Sequence, residues 1–471
     1  MTKNQTDIDN PRGLVRAFGV GYVVIFVIAN ILGSGVYKKI APMAAELHSS
    51  TWILLAWAVA GLITLFGALS NAEVAGLLAD TGGDFIYFRK IYNRFFAFLY
   101  GWSFFTVIQT ATIASVAYIF AQSVNSIFPL PQLLPGWQDV SLAGIFYPFK
   151  DLNIKLTAAV LILVLTWVNI RSLRTGAGTS KAITLTVVAG LGVIIIFGLL
   201  SALTGHVSTG PVQDQVKGTV TYSSFYTALL AAFWAYQGWS SVGFIGGEIK
   251  DSKRNLPRGI MIGTLLVIGI YLLVNFTYLK VLSVPRLVEI HEAGNSIAAV
   301  EVVRAFWGQA GALFISLLII VTTLGCTNAS ILTGARPVYA MAKEGLFFRS
   351  LTRINRANVP SMALLWVGIW SAILVFSGTF DQLTDMIIFA VYIFYGATAL
   401  GVFVLRRRMP DAPRPYKVWG YPVVPALFIL FCIGLFVNTI ITRPREAGIG
   451  IVLILIGMPV YWVLNGRQRK A

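Results

Sequence analysis

The sequence predicts an all-α polytopic membrane protein with twelve transmembrane helices, and three observations predict it. Charged residues make up only 12% of the 471 residues while hydrophobic residues make up 57%, against about 25% charge in a soluble domain. Twelve apolar runs follow one another, each near the ~20 residues that cross a bilayer. Two of those runs, the first and the sixth, are interrupted near their middles by glycine and polar residues.

Taken in order, the spans fall at 18–38, 51–79, 96–124, 154–170, 180–203, 224–248, 259–280, 308–341, 361–378, 383–405, 422–441 and 447–465. Lys and Arg in the connections set the orientation. With the N-terminus taken as cytoplasmic, 25 of the 36 basic residues lie at cytoplasmic flanks and ten at outer flanks, Lys181 being left over. A multi-pass protein of the cell (inner) membrane is expected, with both termini cytoplasmic. The net charge of +17 therefore reflects membrane orientation, not nucleic-acid binding. Met1 to Asn10 are polar and the first apolar run is too long for a signal h-region, so no cleavable signal peptide is expected. The outer segment 125–153 carries Pro129, Pro131, Pro135 and Pro148 and is expected to pack over the mouth. The inner segment 409–422 reads as a stiff, basic connector to the last helix pair.

The first span carries Gly33-Ser34-Gly35 and the sixth carries Trp234-Ala-Tyr-Gln-Gly-Trp239. Glycine loosens a helix, and a broken backbone in lipid needs its polar groups satisfied. Small residues also serve close helix packing, and either break alone admits that reading. Together they sit first in one group of five spans and first in the next. Five is odd, so the second group starts on the opposite side of the membrane. The division is a cytoplasmic N-terminus (1–17), a first five-helix repeat (18–203), a second, inverted repeat (224–405), and helices 11 and 12 with a cytoplasmic C-terminus (406–471). Interruptions at matching places in two halves point to a substrate site.

The half-helices suggest its chemistry. The outer half of the first span begins at the break, so the amides of Ser34, Gly35 and Val36 form a helix N-terminus suited to a carboxylate. Carbonyls near Asn30, Ile31 and Leu32, and near Phe233, Trp234 and Ala235, would face an ammonium. Amides on one side and carbonyls on the other fit the zwitterion of an α-amino acid.

These motifs resemble those of the amino acid–polyamine–organocation (APC) transporters, in particular their L-type amino acid transporter branch. The likeness runs over nearly the whole chain. It is carried by Gly33-Ser34-Gly35, Asn71-Ala-Glu73 with Thr81-Gly82-Gly83-Asp84, Trp234 to Trp239, Asn255-Leu256-Pro257, Ala342-Lys343-Glu344-Gly345, and Gly448 through Tyr461. The resemblance implies the LeuT-type fold, substrate binding at the unwound first and sixth spans, and an aromatic lid at Trp234. It extends the pocket to Ser240, with Gln109 and Tyr392 as further candidates. It matches Lys181 to a lysine near the ion position of sodium-coupled relatives, where an ammonium would replace the ion; the competing reading is a lysine snorkelling to the interface. Tyr271 matches a family tyrosine, although on sequence alone an ordinary packing aromatic is the favoured reading. Animal members attach to a glycoprotein through a cysteine in the loop between the third and fourth spans. Residues 121–153 contain none, which implies a bacterial-type carrier without a disulfide-linked heavy chain.

Glu73 and Glu248 lie toward the cytoplasmic ends of their spans and are expected to pair with basic residues bracing an inner gate. With no acid placed in the pocket, neutral substrates are expected. Cys326 and Cys432 fall in apolar runs, and His48, His206 and His291 fall in loops; no metal, cofactor or catalytic cluster is expected, and no phosphate loop is present. The function expected is sodium-independent exchange of neutral L-amino acids by alternating access. The alternatives are proton-coupled symport through Lys181 or Glu73 and, from another class, a membrane-embedded enzyme. The sequence sets no oligomeric state; membrane lipid is the one partner besides substrate.

Overall fold

The computed structural model describes residues 18–468 apart from 79–82, 142–145, 172–175, 206–219, 295 and 356–358. The expected N-terminal segment, His206, and Thr81 and Gly82 of the second motif lie outside the described residues.

Among the described residues the regular elements are helices. In order the helices are α1 (Val20–Ile31), α2 (Gly35–Lys38), α3 (Ile40–Leu47), α4 (Ser50–Leu77), α5 (Asp84–Ile91), α6 (Arg94–Ser103), α7 (Gln109–Ile127), α8 (Leu152–Arg171), α9 (Gly176–Leu203), α10 (Tyr222–Tyr236), α11 (Ser252–Val281), α12 (Val284–Glu292), α13 (Ala298–Lys343), α14 (Ser361–Val375), α15 (Phe380–Arg408), α16 (Val423–Thr442) and α17 (Pro444–Gln468). A π turn, Phe104–Ile108, joins α6 to α7, and a 3₁₀ segment, Trp239–Glu248, follows α10. Among the described residues, nine helices are long and apolar enough to cross a membrane. Two shorter apolar helices, α1 and α14, cover the first and ninth runs. Gly308 (φ 62°, ψ −148°) divides α13 where the eighth span begins.

The outside is apolar and the inside partly polar, which inverts the soluble pattern. Leu156, Val160, Leu163 and Trp167 of α8 are exposed, as are Leu430, Ile433 and Val437 of α16. In lipid such faces cost nothing. Some buried hydroxyls are satisfied within their own helices: Ser103 donates to Leu99 O, Ser115 to Ala111 O and Thr323 to Ile319 O.

Helix packing joins the first half of the chain to the second: α4 packs on α11, α7 on α13 and α8 on α14. The remaining contacts come in matched sets. α1 packs on α11 as α10 packs on α4, α9 on α11 as α15 on α4, and α9 on α13 as α15 on α7. This arrangement leaves the ends of α1 and α10 facing each other in the centre of the molecule.

Candidate functional site

The first break takes three residues. α1 stops at Ile31; Leu32 still bonds back to Ile28 O at 2.8 Å, but the Gly33 amide folds onto Ile31 O at 2.8 Å. Helical dihedrals resume at Ser34 (φ −68°, ψ −20°). Lys39 (φ −72°, ψ −12°) carries α2 on into α3, and its amide bonds to Gly35 O at 2.9 Å. Ser34, Gly35 and Val36 thus open the outer half-helix, and their amides have no acceptor within it.

The second break is sharper. α10 ends at Tyr236, slightly beyond the Phe233–Ala235 end that the sequence suggested. Gln237 turns extended (φ −71°, ψ 145°), and Gly238 takes φ 120°, ψ −12°. The chain continues as the 3₁₀ segment.

Each break leans on the other's backbone. A Cβ on Gly35 would lie 2.5 Å from Ala235 Cα, and one on Gly238 would lie 2.3 Å from Asn30 O. Gly238 also holds a backbone angle that L side chains rarely adopt. Trp234 Nε1 spans the gap to Ser34 Oγ at 3.4 Å. A cavity lies beside this crossing. Ile31, Gly33, Ser34 and Gly35 line it from the first span, and Trp234, Gln237, Gly238, Ser240 and Phe244 from the sixth.

The carbonyl ends differ from expectation. Ile31 O and Ala235 O both lie against the Tyr271 hydroxyl, at 2.8 and 2.9 Å. One phenolic proton on α11 is shared between the two stumps, so these carbonyls already have a donor. Tyr271 is therefore more than the packing aromatic favoured from sequence, although it also packs edge-on to Trp57 with ring centroids 5.6 Å apart. Lys181 is exposed on α9.

The remaining candidates divide cleanly. Gln109 lines the cavity and donates through Nε2 to Ser330 O at 2.8 Å. Ser240 lines it and shares a 3.0 Å hydrogen bond with the Tyr395 hydroxyl. Val36, Phe233, Ala235 and Tyr392 are buried just outside the lining. Phe233 packs on Tyr392 with ring centroids 4.8 Å apart. Tyr395, one turn along α15 from Tyr392, is the α15 tyrosine that reaches the cavity.

Of the wall that the third span supplies, sequence reasoning names Gln109 alone. The π turn brings Phe104 and Ile108 into the lining, with Thr110 Oγ1 donating to Phe105 O at 2.7 Å. Tyr100 and Thr112 join them, and Ser330 and Thr333 complete the wall from α13. The available signal is weak: Thr106 and Thr110 are polar residues in an apolar run.

The two mouths are closed by different chemistry. On the α3 side, Lys39 Nζ binds Asp381 Oδ1 at 2.6 Å and Thr384 Oγ1 at 2.7 Å, and Lys38 Nζ donates to Gln122 Oε1 at 2.8 Å. Both ammonium groups lie over the Phe380 ring, at 5.2 Å for Lys38 and 4.7 Å for Lys39. Phe380 meets Trp234 edge-on, with centroids 6.1 Å apart. On the opposite side, the chain before α1 is laced to the end of the 3₁₀ segment. Phe18 N bonds to Glu248 O at 3.2 Å, and Lys250 N to Phe18 O at 2.8 Å.

Glu73 and Glu248 are paired there. Glu248 Oε1 meets Arg336 Nη1 at 2.9 Å. Glu73 takes Arg406 in a two-pronged bond of 2.9 and 2.7 Å and accepts the Val418 amide at 2.6 Å. Arg414 Nε stands 3.4 Å away. The proline-rich connector is thus docked on a buried carboxylate. Among the described residues, no group of His, Cys, Asp and Glu is placed to hold a metal, and both cysteines are free thiols.

The comparisons with known proteins agree with this geometry. The serine/threonine exchanger SteT of Bacillus subtilis (strain 168) is 30% identical over 463 residues, covering 97% of this chain and 98% of its own. The large neutral amino acids transporter small subunit 2 of Homo sapiens is 30% identical over 459 residues, with 96% of this chain and 79% of its own covered. The b(0,+)-type amino acid transporter 1 of Mus musculus is 27% identical over 453 residues, with 96% and 88% covered. The family described as amino acid permease matches residues 18–464. Two facing helix breaks inside a membrane bundle, and a match over nearly all of the described length, place the chain in the amino acid permease family of transporters.

Proposed function

We propose that the protein is a sodium-independent exchanger of neutral L-amino acids, working by alternating access across the cell membrane. The observation that carries this reading is the mutual contact of the two breaks, Gly35 on Ala235 and Gly238 on Asn30 O. A substrate carboxylate sits at the amides of Ser34, Gly35 and Val36. Its ammonium faces the polar atoms of Gln237 and the α1 stump. The side chain points to the wall of Gln109, Ser240, Ser330 and Thr333, among which no acid stands, and this favours a neutral substrate. The chain has twelve spans with both termini cytoplasmic, in two inverted repeats on the LeuT-type plan, and the paired helix packing supports that division. The exchanger and transporter names borne by its relatives point the same way. With no cysteine in residues 121–153, no disulfide-linked heavy chain is needed.

Substrate binding supplies the free energy to close the breaks, and the Lys39–Asp381 side and the Glu248–Arg336 side then open in alternation. The test is uptake of a labelled neutral amino acid into proteoliposomes. Exchange predicts uptake only into vesicles preloaded with substrate. Uptake into empty vesicles driven by an imposed pH gradient would instead establish proton symport.

A further inference from the structure

Asp84 opens α5, the short helix between the second and third spans, and it is 3% exposed. Its carboxylate accepts Asn71 Nδ2 at 3.4 Å and the Tyr100 hydroxyl at 3.3 Å. Among the described residues it makes no ion pair. A carboxylate held with two long neutral hydrogen bonds and no cation is costly to keep charged.

Its neighbours link it to the cavity. Tyr100 lines the cavity directly. Gly83, beside Asp84, presses on Phe244 of the 3₁₀ segment: a Cβ there would lie 2.6 Å from that ring. Phe244 lines the cavity too and meets Phe104 edge-on at 5.3 Å. Asp84 therefore sits where the third and sixth spans close beneath the cavity, on the side of the Phe18–Glu248 lacing.

Among the described residues, no other titratable group neutralises it. Tyr100 faces it from α6, Tyr395 acts from α15, and Tyr87 stands on its own helix. From α4 comes Asn71, while Glu73 of that helix is bound to Arg406. Glu248 of the 3₁₀ segment is bound to Arg336. Arg89 is paired with Glu344 Oε2, and Arg94 donates to Glu344 O at 3.1 Å.

We propose that Asp84 is a proton-binding site at the inner mouth: it takes a proton from inner-side water as the 3₁₀ segment closes on Tyr100, and returns that proton to the same water when the mouth opens. The proton does not cross the membrane, so exchange remains electroneutral in protons while its rate depends on pH. Burial pushes the Asp84 carboxyl up to about 7, against the weaker downward pull of the Tyr100 and Asn71 hydrogen bonds. The closed mouth binds more protons than the open, hydrated one. Raising pH through this range therefore favours opening.

This inference rests on the exchanger reading, and its test is separable from that one. Homoexchange is measured in preloaded proteoliposomes with equal pH inside and out, from pH 6 to 8. A neutral amino acid keeps its zwitterionic form throughout. Wild-type exchange is expected to rise by up to about tenfold, following the shift in the opening equilibrium. Asp84→Asn is expected to exchange at a rate independent of pH over this range. Asn71→Ala, which removes a donor to the carboxylate, is expected to keep the dependence with its midpoint moved to higher pH. An Asp84→Asn protein that keeps the wild-type pH dependence overturns the proposal. Should that variant not transport, an unmoved midpoint in Asn71→Ala overturns it equally.

Discussion

The first and sixth spans break in the same place by different means. The first break is gentle: Ser34 already has right-handed dihedrals, and helix resumes at once. Gly35 serves close approach rather than an unusual angle, and the result is a cluster of amide donors. The second break is abrupt. Gly238 at φ 120° reverses the chain, and a 3₁₀ segment follows in place of a helix. Its product is a bent connector whose side chains, Gln237, Ser240 and Phe244, enter the cavity. On the proposed function the difference is a division of labour: the first break would hold the part common to all amino acids, and the second would couple occupancy to movement of the inner half.

Mutations can break that comparison in order of size. Gly238→Ala combines a forbidden angle with a Cβ 2.3 Å from Asn30 O. The angle alone costs about 1–3 kcal/mol, and transport should vanish in counterflow while membrane insertion persists. Gly35→Ala places its Cβ 2.5 Å from Ala235 Cα, and uptake should fall by at least about tenfold, or ~1.4 kcal/mol. Gly33→Ala is the control within the same motif. Its Cβ would meet nothing closer than Cys326 Sγ at 3.7 Å, so it should retain most transport. Equal loss in Gly33→Ala and Gly35→Ala would mean that the Gly35–Ala235 contact is not what the motif protects.

Tyr271→Phe removes the proton shared by Ile31 O and Ala235 O. Leaving a buried carbonyl without its donor costs about 1–3 kcal/mol, seen as a lowered melting temperature together with slower exchange. Ser34→Ala should have the smallest effect. It removes only the 3.4 Å bond from Trp234 Nε1, within about 1 kcal/mol, and should alter apparent affinity without lowering stability.

Much of this was legible in the sequence because membranes simplify the problem. Apolar runs of a set length must be helices, and Gly33-Ser34-Gly35 inside one is conspicuous. Motif order did the same for the family. What stayed hidden were contacts between distant residues. Tyr271 lies 240 residues from Ile31, and an aromatic in a span carries no sign of its hydroxyl's partner. Lys38 and Lys39 read as outer-flank charges, yet their partners Gln122 and Asp381 turn them into a cover above Phe380 and Trp234. Tyr392 and Tyr395 differ by three positions on one helix, too little for periodicity to separate. The 409–422 connector reads as stiff, but nothing in its sequence shows that the Val418 amide docks on Glu73.

The central claim is that the two breaks receive the charged ends of a zwitterion, and substrate analogues test it most directly. Counterflow of a labelled neutral L-amino acid is measured against excess unlabelled amino acid, its methyl ester and the corresponding decarboxylated amine. The account predicts that the parent competes fully and that neither analogue competes appreciably, since each lacks the carboxylate that Ser34, Gly35 and Val36 would hold. Competition by the amine as strong as by the parent would contradict it.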